Sequence, residues 1–141
     1  MAENTTSTAT LPTVSGKLIE HADGQVVLAI PETDYKLRLV VEADLQAEIG
    51  QKLTGTVHAT ARRVDAIPAG GKYVEPVFGR PRRVQGRIVG GHLPSRAIYV
   101  QAGPTLICTL SDERQDPGQF SLGQIVSFDV EAGAVFKPQP G

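Results

Sequence analysis

Between Lys72 and Arg96 the chain carries six basic side chains, Lys72, Arg80, Arg82, Arg83, Arg87 and Arg96, against one acid, Glu75. Tyr73 and Phe78 lie in the same stretch. Cations beside aromatic rings suit a single strand of nucleic acid, because phosphates need charge and bases need flat surfaces to stack on. A period of two places Arg83, Gln85 and Arg87 on the outward face of one strand, with Arg83 and Arg87 roughly 13 Å apart at about 3.3 Å per residue. Lys72, Arg80 and Arg82 flank that strand from the segment before it. The expected ligand-binding set is therefore Lys72, Tyr73, Arg80, Arg82, Arg83, Arg87 and Arg96. The plain alternative is a solvated linker whose charges keep an edge strand from aggregating.

Other reactive side chains point less clearly to chemistry. His21 and His92 follow equivalent runs and would meet only across a pseudo-twofold interface, while His58 falls on the outer face of its run. A metal site normally needs more ligands than two, so neither a metal nor another cofactor is expected. Cys108 alternates with Leu106 and Leu110, which points it inward as a small apolar residue and away from a role as nucleophile. Asp112, Glu113 and Asp116 share a loop-like segment without EF-hand spacing. Gly70-Gly71 and Gly90-Gly91 lack the Lys-Ser/Thr that completes a phosphate loop. Neither Gly-x-Ser-x-Gly nor His-Glu-x-x-His occurs. These absences and the small size point away from an enzyme.

The composition bounds what must hold these residues. A chain of 141 residues is one ordinary domain or two very small ones. Its 40% hydrophobic and 21% charged residues are those of a folded protein. Fifteen glycines and ten prolines suggest many turns, and with no Trp the core must come from Val, Leu, Ile and Ala. One cysteine leaves no internal disulfide and no thiolate-based zinc site. No apolar run approaches the roughly 20 residues of a membrane helix. The first residues lack a basic start and an apolar run, so residues 1–12 read as a flexible tail and the chain as cytoplasmic. The net charge of −1 hides an asymmetry: residues 1–70 carry six basic and nine acidic side chains, residues 71–141 eight and six.

The strongest pattern is an internal repeat. Val14-Ser15-Gly16-Lys17-Leu18-Ile19 reads like Val84-Gln85-Gly86-Arg87-Ile88-Val89, seventy positions on, and Gly50-Gln51 reads like Gly123-Gln124, seventy-three positions on. That spacing is longer than a solenoid unit and matches a small domain duplicated once. Leu53, Gly55, Val57, Ala59 and Ala61 alternate with polar residues, as one buried face of a strand requires. In the second copy Val126, Phe128, Val130 and Ala132 fall inward, with Ser127, Asp129 and Glu131 outward. Gly55 and Phe128 occupy equivalent places, so the two interiors must be packed differently. Further inward sets are Val14, Gly16 and Leu18; Val26, Leu28 and Ile30; Leu37, Leu39 and Val41; and their counterparts from Val84 to Leu110. Gly16 and Gly86 suggest bulges or bends, and Asp23-Gly24 a tight hairpin. Leu45 and Ile49 ahead of Gly50 suggest a short helix over residues 42–50, whereas residues 111–122 read as a loop.

The expected fold is therefore all-β. It comprises two tandem five-stranded OB-like barrels over residues 13–66 and 83–137, with residues 67–82 connecting them and one short helix in the first. The motif Gly50-Gln51-Lys52-Leu53-Thr54-Gly55-Thr56-Val57-His58-Ala59, followed by Arg62-Arg63-Val64, resembles the end of a TOBE or molbindin unit. Such units occur as tandem pairs, and the resemblance implies oxyanion binding between them. The family's Ser-Ala-Arg-Asn-like ligand segment has no counterpart at Leu11-Pro12-Thr13, so no binding residue carries over. Three readings follow in order. The first is a module for single-stranded nucleic acid or another anionic partner. The second is an adaptor that pairs with a protein through sheet edges, using the Thr54, Thr56 and Thr60 face. The third is an oxyanion binder. The oligomeric state is left open.

Overall fold

The computed structural model describes residues 11–42 and 44–139, so the expected tail lies outside them up to residue 10. The chain is all-β, as its alternating runs predict. The first strands are β1 (Val14–Ala22), β2 (Gln25–Ala29), β3 (Lys36–Val40) and β4 (Lys52–Ala61). The short strands β5 (Asp65–Ile67), β6 (Tyr73–Glu75) and β7 (Phe78–Gly79) lead to β8 (Arg83–His92), β9 (Ala97–Gln101) and β10 (Thr105–Leu110). The last two are β11 (Ile125–Asp129) and β12 (Val135–Pro138). The β1–β2 hairpin turns on Asp23 (φ 56°) and Gly24 (φ 74°), the paired positive angles that a two-residue turn requires.

Strands β1, β2, β3, β12 and β4 pair in that order and β4 returns to β1, closing a five-stranded barrel. Its fifth strand comes from residues 135–138, which the repeat assigns to the second unit. Strand β12 runs parallel to β3 and antiparallel to β4, with Phe136 opposite Val57. The end of β4 crosses the other way: His58 to Ala61 pair in parallel with Ile107 to Leu110 of β10. The sheet then continues through β9, β8, β11 and β5, and a single bridge joins Ala61 to Val130. One hydrophobic core, from Val14 to Phe136, runs through both halves.

The segments that match in sequence make matching hydrogen bonds. Gly50 N–H donates to the Leu18 carbonyl at 2.7 Å and Gly123 N–H to the Ile88 carbonyl at 2.8 Å. Gln51 Oε1 accepts from Glu48 N–H and Gln124 Oε1 from Ser121 N–H, both at 3.1 Å. The two glycines have φ of 95° and 86°, so each Gly-Gln pair closes a turn that only glycine forms without strain. Both first strands bulge at equivalent places, between Leu18 and Glu20 and between Ile88 and Gly90. The bulges lie three residues beyond Gly16 and Gly86, where they were expected. Those glycines serve close packing instead: a Cβ at Gly86 would run into the Gln101 carbonyl, and one at Gly16 would lie 2.9 Å from Leu28 Cβ.

Three local expectations are corrected. The described residues of 42–50 contain no helix. Leu45 packs on the core while Ile49 is 62% exposed, so the two share no buried face. Nine residues are also too few to hold a helix without such packing. A short 3-10 turn lies instead at Pro117–Gln119, with Asp116 and Gln119 forming a capping box. Ala132 is exposed rather than inward, because the chain leaves β11 and turns at Gly133 (φ 95°) before entering β12. Ser127, expected outward, is buried and accepts from Arg83 Nη2 at 2.7 Å.

Candidate functional site

The outward side chains of β3 are Lys36 and Arg38, set by the burial of Leu37 and Leu39 between them. The parallel pairing of Lys36 with Phe78 brings β7, and the arginines that follow it, alongside this strand. Arg38, Arg80 and Arg82 then line one cleft of about 350 Å³ with Gln25 and the turn at Gly133. The cleft therefore sits where β3 meets the chain as it crosses into β12. Arg38 forms an exposed ion pair with Glu20 at 3.0 Å. Arg80 Nη1 is buried and has no hydrogen-bond partner among the described residues. A guanidinium nitrogen removed from water without a partner costs free energy, and an anion in the cleft would relieve that cost. Phe78 is 54% exposed, a flat apolar surface beside these charges.

The remaining expected residues fall into two groups. Lys72, Tyr73 and Arg87 lie near one another on the outside of β6 and β8. Tyr73 pairs with Gln85 in register and its hydroxyl donates to Gln85 Oε1 at 3.2 Å. Lys72 Nζ reaches Gln101 Oε1 at 3.4 Å, and Gln101 in turn pairs with Arg87. Arg83 and Arg96 are committed internally. Arg83 pairs with Asp129 at 2.8 Å, and that carboxylate favours its charged form. Arg96 Nη2 lies 3.4, 3.0 and 2.9 Å from the carbonyls of Leu110, Asp112 and Gln115. It ties the β8–β9 turn to the loop after β10.

The structure thus brings Arg80 and Arg82 together and adds Arg38, which lies outside the basic segment, with Lys36 on the same outward face of β3. The alternation of Leu37 and Leu39 was the signal that marked Lys36 and Arg38 as outward. The pairing of β3 with β7 had no such signal.

Cys108 is fully buried, and desolvation pushes its thiol far above the ordinary range, where it is inert. Asp112 is held down to about 2 by its hydrogen bonds from Arg114. Thr54 and Thr56 are used within the sheet, with Ser15 Oγ and His58 Nε2 at 2.8 and 2.7 Å. Among the described residues no group of three or more His, Cys, Asp or Glu is placed to hold a metal, and no helix is long and apolar enough to cross a membrane. Comparison with family models, curated proteins and solved structures gives no match to this chain.

Proposed function

We propose that the chain is a non-enzymatic module of two OB-like barrels that binds single-stranded nucleic acid through its first barrel. Support for the barrel reading comes from the order β1-β2-β3-β12-β4, in which the third and fourth positions, β3 and β12, pair in parallel. The bridge between Ala61 and Val130 supports a second ring of β8, β9, β10, β4 and β11. OB barrels hold oligonucleotides on the face of their second and third strands. Here that face carries Lys36 and Arg38, and Arg80, Arg82 and Phe78 stand beside it. The observation that carries the reading is the convergence of Arg38, Arg80 and Arg82 on one cleft, with Arg80 Nη1 unpartnered among the described residues. The arginines would take phosphates while Phe78 stacks a base.

A fluorescence anisotropy titration with labelled oligothymidylate at low and high salt tests this. Affinity should fall steeply with salt, since bound phosphates release counterions. Phe78→Ala should weaken binding by about 1–3 kcal/mol, the usual worth of one stacked base. Salt-independent affinity, or an unaffected Phe78→Ala variant, contradicts the reading. The meeting of three arginines on the same cleft also favours a second reading, a compact oxyanion. In that case molybdate or sulfate raises the melting temperature and oligothymidylate does not bind.

A further inference from the structure

A second cavity, of about 290 Å³, lies on the outer surface of the sheet and shares no lining residue with the arginine cleft. His58, Ile107 and Tyr99, which line it, stand in register across the central strands: His58 pairs with Ile107 and Ile107 with Tyr99, while Tyr99 is flanked on its far side by Gly90. Gly90 leaves room for the Tyr99 ring, because a Cβ there would lie 2.9 Å from Tyr99 Cδ2. Ala97, Tyr99 and Ile107 form a buried apolar cluster separate from the main core.

The polar groups of this cavity are few. Tyr99 is 6% exposed, and its hydroxyl is buried with no hydrogen-bond partner among the described residues. Desolvation raises its pKa, so the group remains a proton donor. His58 Nε2 is engaged by Thr56 Oγ1 at 2.7 Å and His92 Nδ1 by Ser95 Oγ at 2.8 Å, which leaves one nitrogen on each ring unassigned. Burial and Lys137 lower the His58 pKa, with Glu42 opposing, so that ring is neutral near pH 7. No Lys, Arg, Asp or Glu lines the cavity among the described residues. An apolar, uncharged space with one unsatisfied donor favours a ligand that is flat, neutral and equipped with an acceptor. Its volume is at the small end of the roughly 300–1,000 Å³ of ligand pockets.

We propose that this cavity is a binding site for an uncharged heteroaromatic of one or two rings, whose ring nitrogen or carbonyl oxygen accepts a hydrogen bond from the Tyr99 hydroxyl. The site stands whether or not the arginine cleft binds nucleic acid.

Benzimidazole and indole are suitable probes. They are nearly the same shape, and only benzimidazole has a ring nitrogen with a free lone pair. Chemical-shift titration of the full chain at neutral pH should show benzimidazole binding with a millimolar or tighter constant. Tyr99→Phe should weaken benzimidazole about fivefold, the worth of one hydrogen bond, and leave indole unchanged. Thr109→Phe, an exposed change at the cavity wall, should abolish binding of both while the fold is kept. Absence of benzimidazole binding overturns the proposal. So does an equal effect of Tyr99→Phe on both probes, or Thr109→Phe binding both as wild type does.

Discussion

Where the first half has Gly55, the second has Phe128, and the phenyl ring missing from the first half arrives from elsewhere. Phe136, on the strand that crosses from the far end of the chain, rests over Gly55, where a Cβ would lie 2.9 Å from its Cε1. Its own counterpart in the first copy, seventy-three positions back, is Arg63, exposed and ion-paired with Asp65 at 3.2 Å. Each half therefore holds one buried phenyl, supplied by its own strand in one case and by the crossing strand in the other. Their arginines diverge as well. In the second half Arg83 and Arg96 are spent on Asp129, Ser127 and loop carbonyls. Beside β3, Arg80 and Arg82 line an open cleft. The matching segments thus share a backbone plan while single side chains differ, with Arg83 and Arg96 held by internal partners and Arg80 and Arg82 turned to a cleft.

The largest expected effect concerns the rings. Phe136→Ala and Phe128→Ala should each cost about 3–5 kcal/mol, as buried Phe truncations do. Because one core runs through both halves, denaturant melts of either variant should show a single transition. Two separate transitions, with Phe136→Ala affecting only one, would break the picture of interdependent halves. Next come the paired glycines. Gly86→Ala should cost about 1–3 kcal/mol by forcing the backbone off the Gln101 carbonyl. Gly16→Ala should cost less, since its nearest neighbour is a side-chain carbon at 2.9 Å. Equal losses would mean that the two strands are packed alike. Smaller again is the arginine contrast: Arg96→Ala should lose about 1–2 kcal/mol with its carbonyl contacts, whereas Arg82→Ala should stay within about 0.5 kcal/mol.

Much of this plan was legible beforehand. The all-β class and most buried faces follow from period-two alternation, and the Asp23-Gly24 hairpin from turn chemistry. The exchange of strands was not, because alternation reports which face is buried and not which neighbour a strand finds. Leu53 to Ala61 would read the same beside β1 alone as it does bridging β1, β12 and β10. The helix expected at 42–50 failed because Leu45 and Ile49 have no common surface to cover. For the site, the basic segment pointed to Arg80 and Arg82, but Arg38 reaches their cleft only through the pairing of β3 with β7. The internal partners of Arg83 and Arg96 were equally invisible, since carbonyls and Asp129 meet them only in the folded chain.

The smallest effect is one of pH. The folded state holds the His58 pKa below its ordinary 6.5, mainly by burial and Lys137, with Glu42 opposing. The folded chain thus binds that proton less readily than the unfolded chain. Stability should be unaffected above pH 6.5 and fall as pH drops from there towards the lowered value. His58→Gln should flatten that part of the profile, and an unchanged profile would place the acid sensitivity elsewhere.

The distinction between free and committed arginines comes down to a count of phosphates. Oligothymidylate affinity plotted as log K against log salt has a slope of about −0.7 per neutralised phosphate on a single strand. Replacing Arg80 and Arg82 together with Ala should make that slope shallower by about 1.4, whereas replacing Arg83 and Arg96 should leave it unchanged. Equal slopes for wild type and the Arg80/Arg82 variant would contradict the assignment of the cleft.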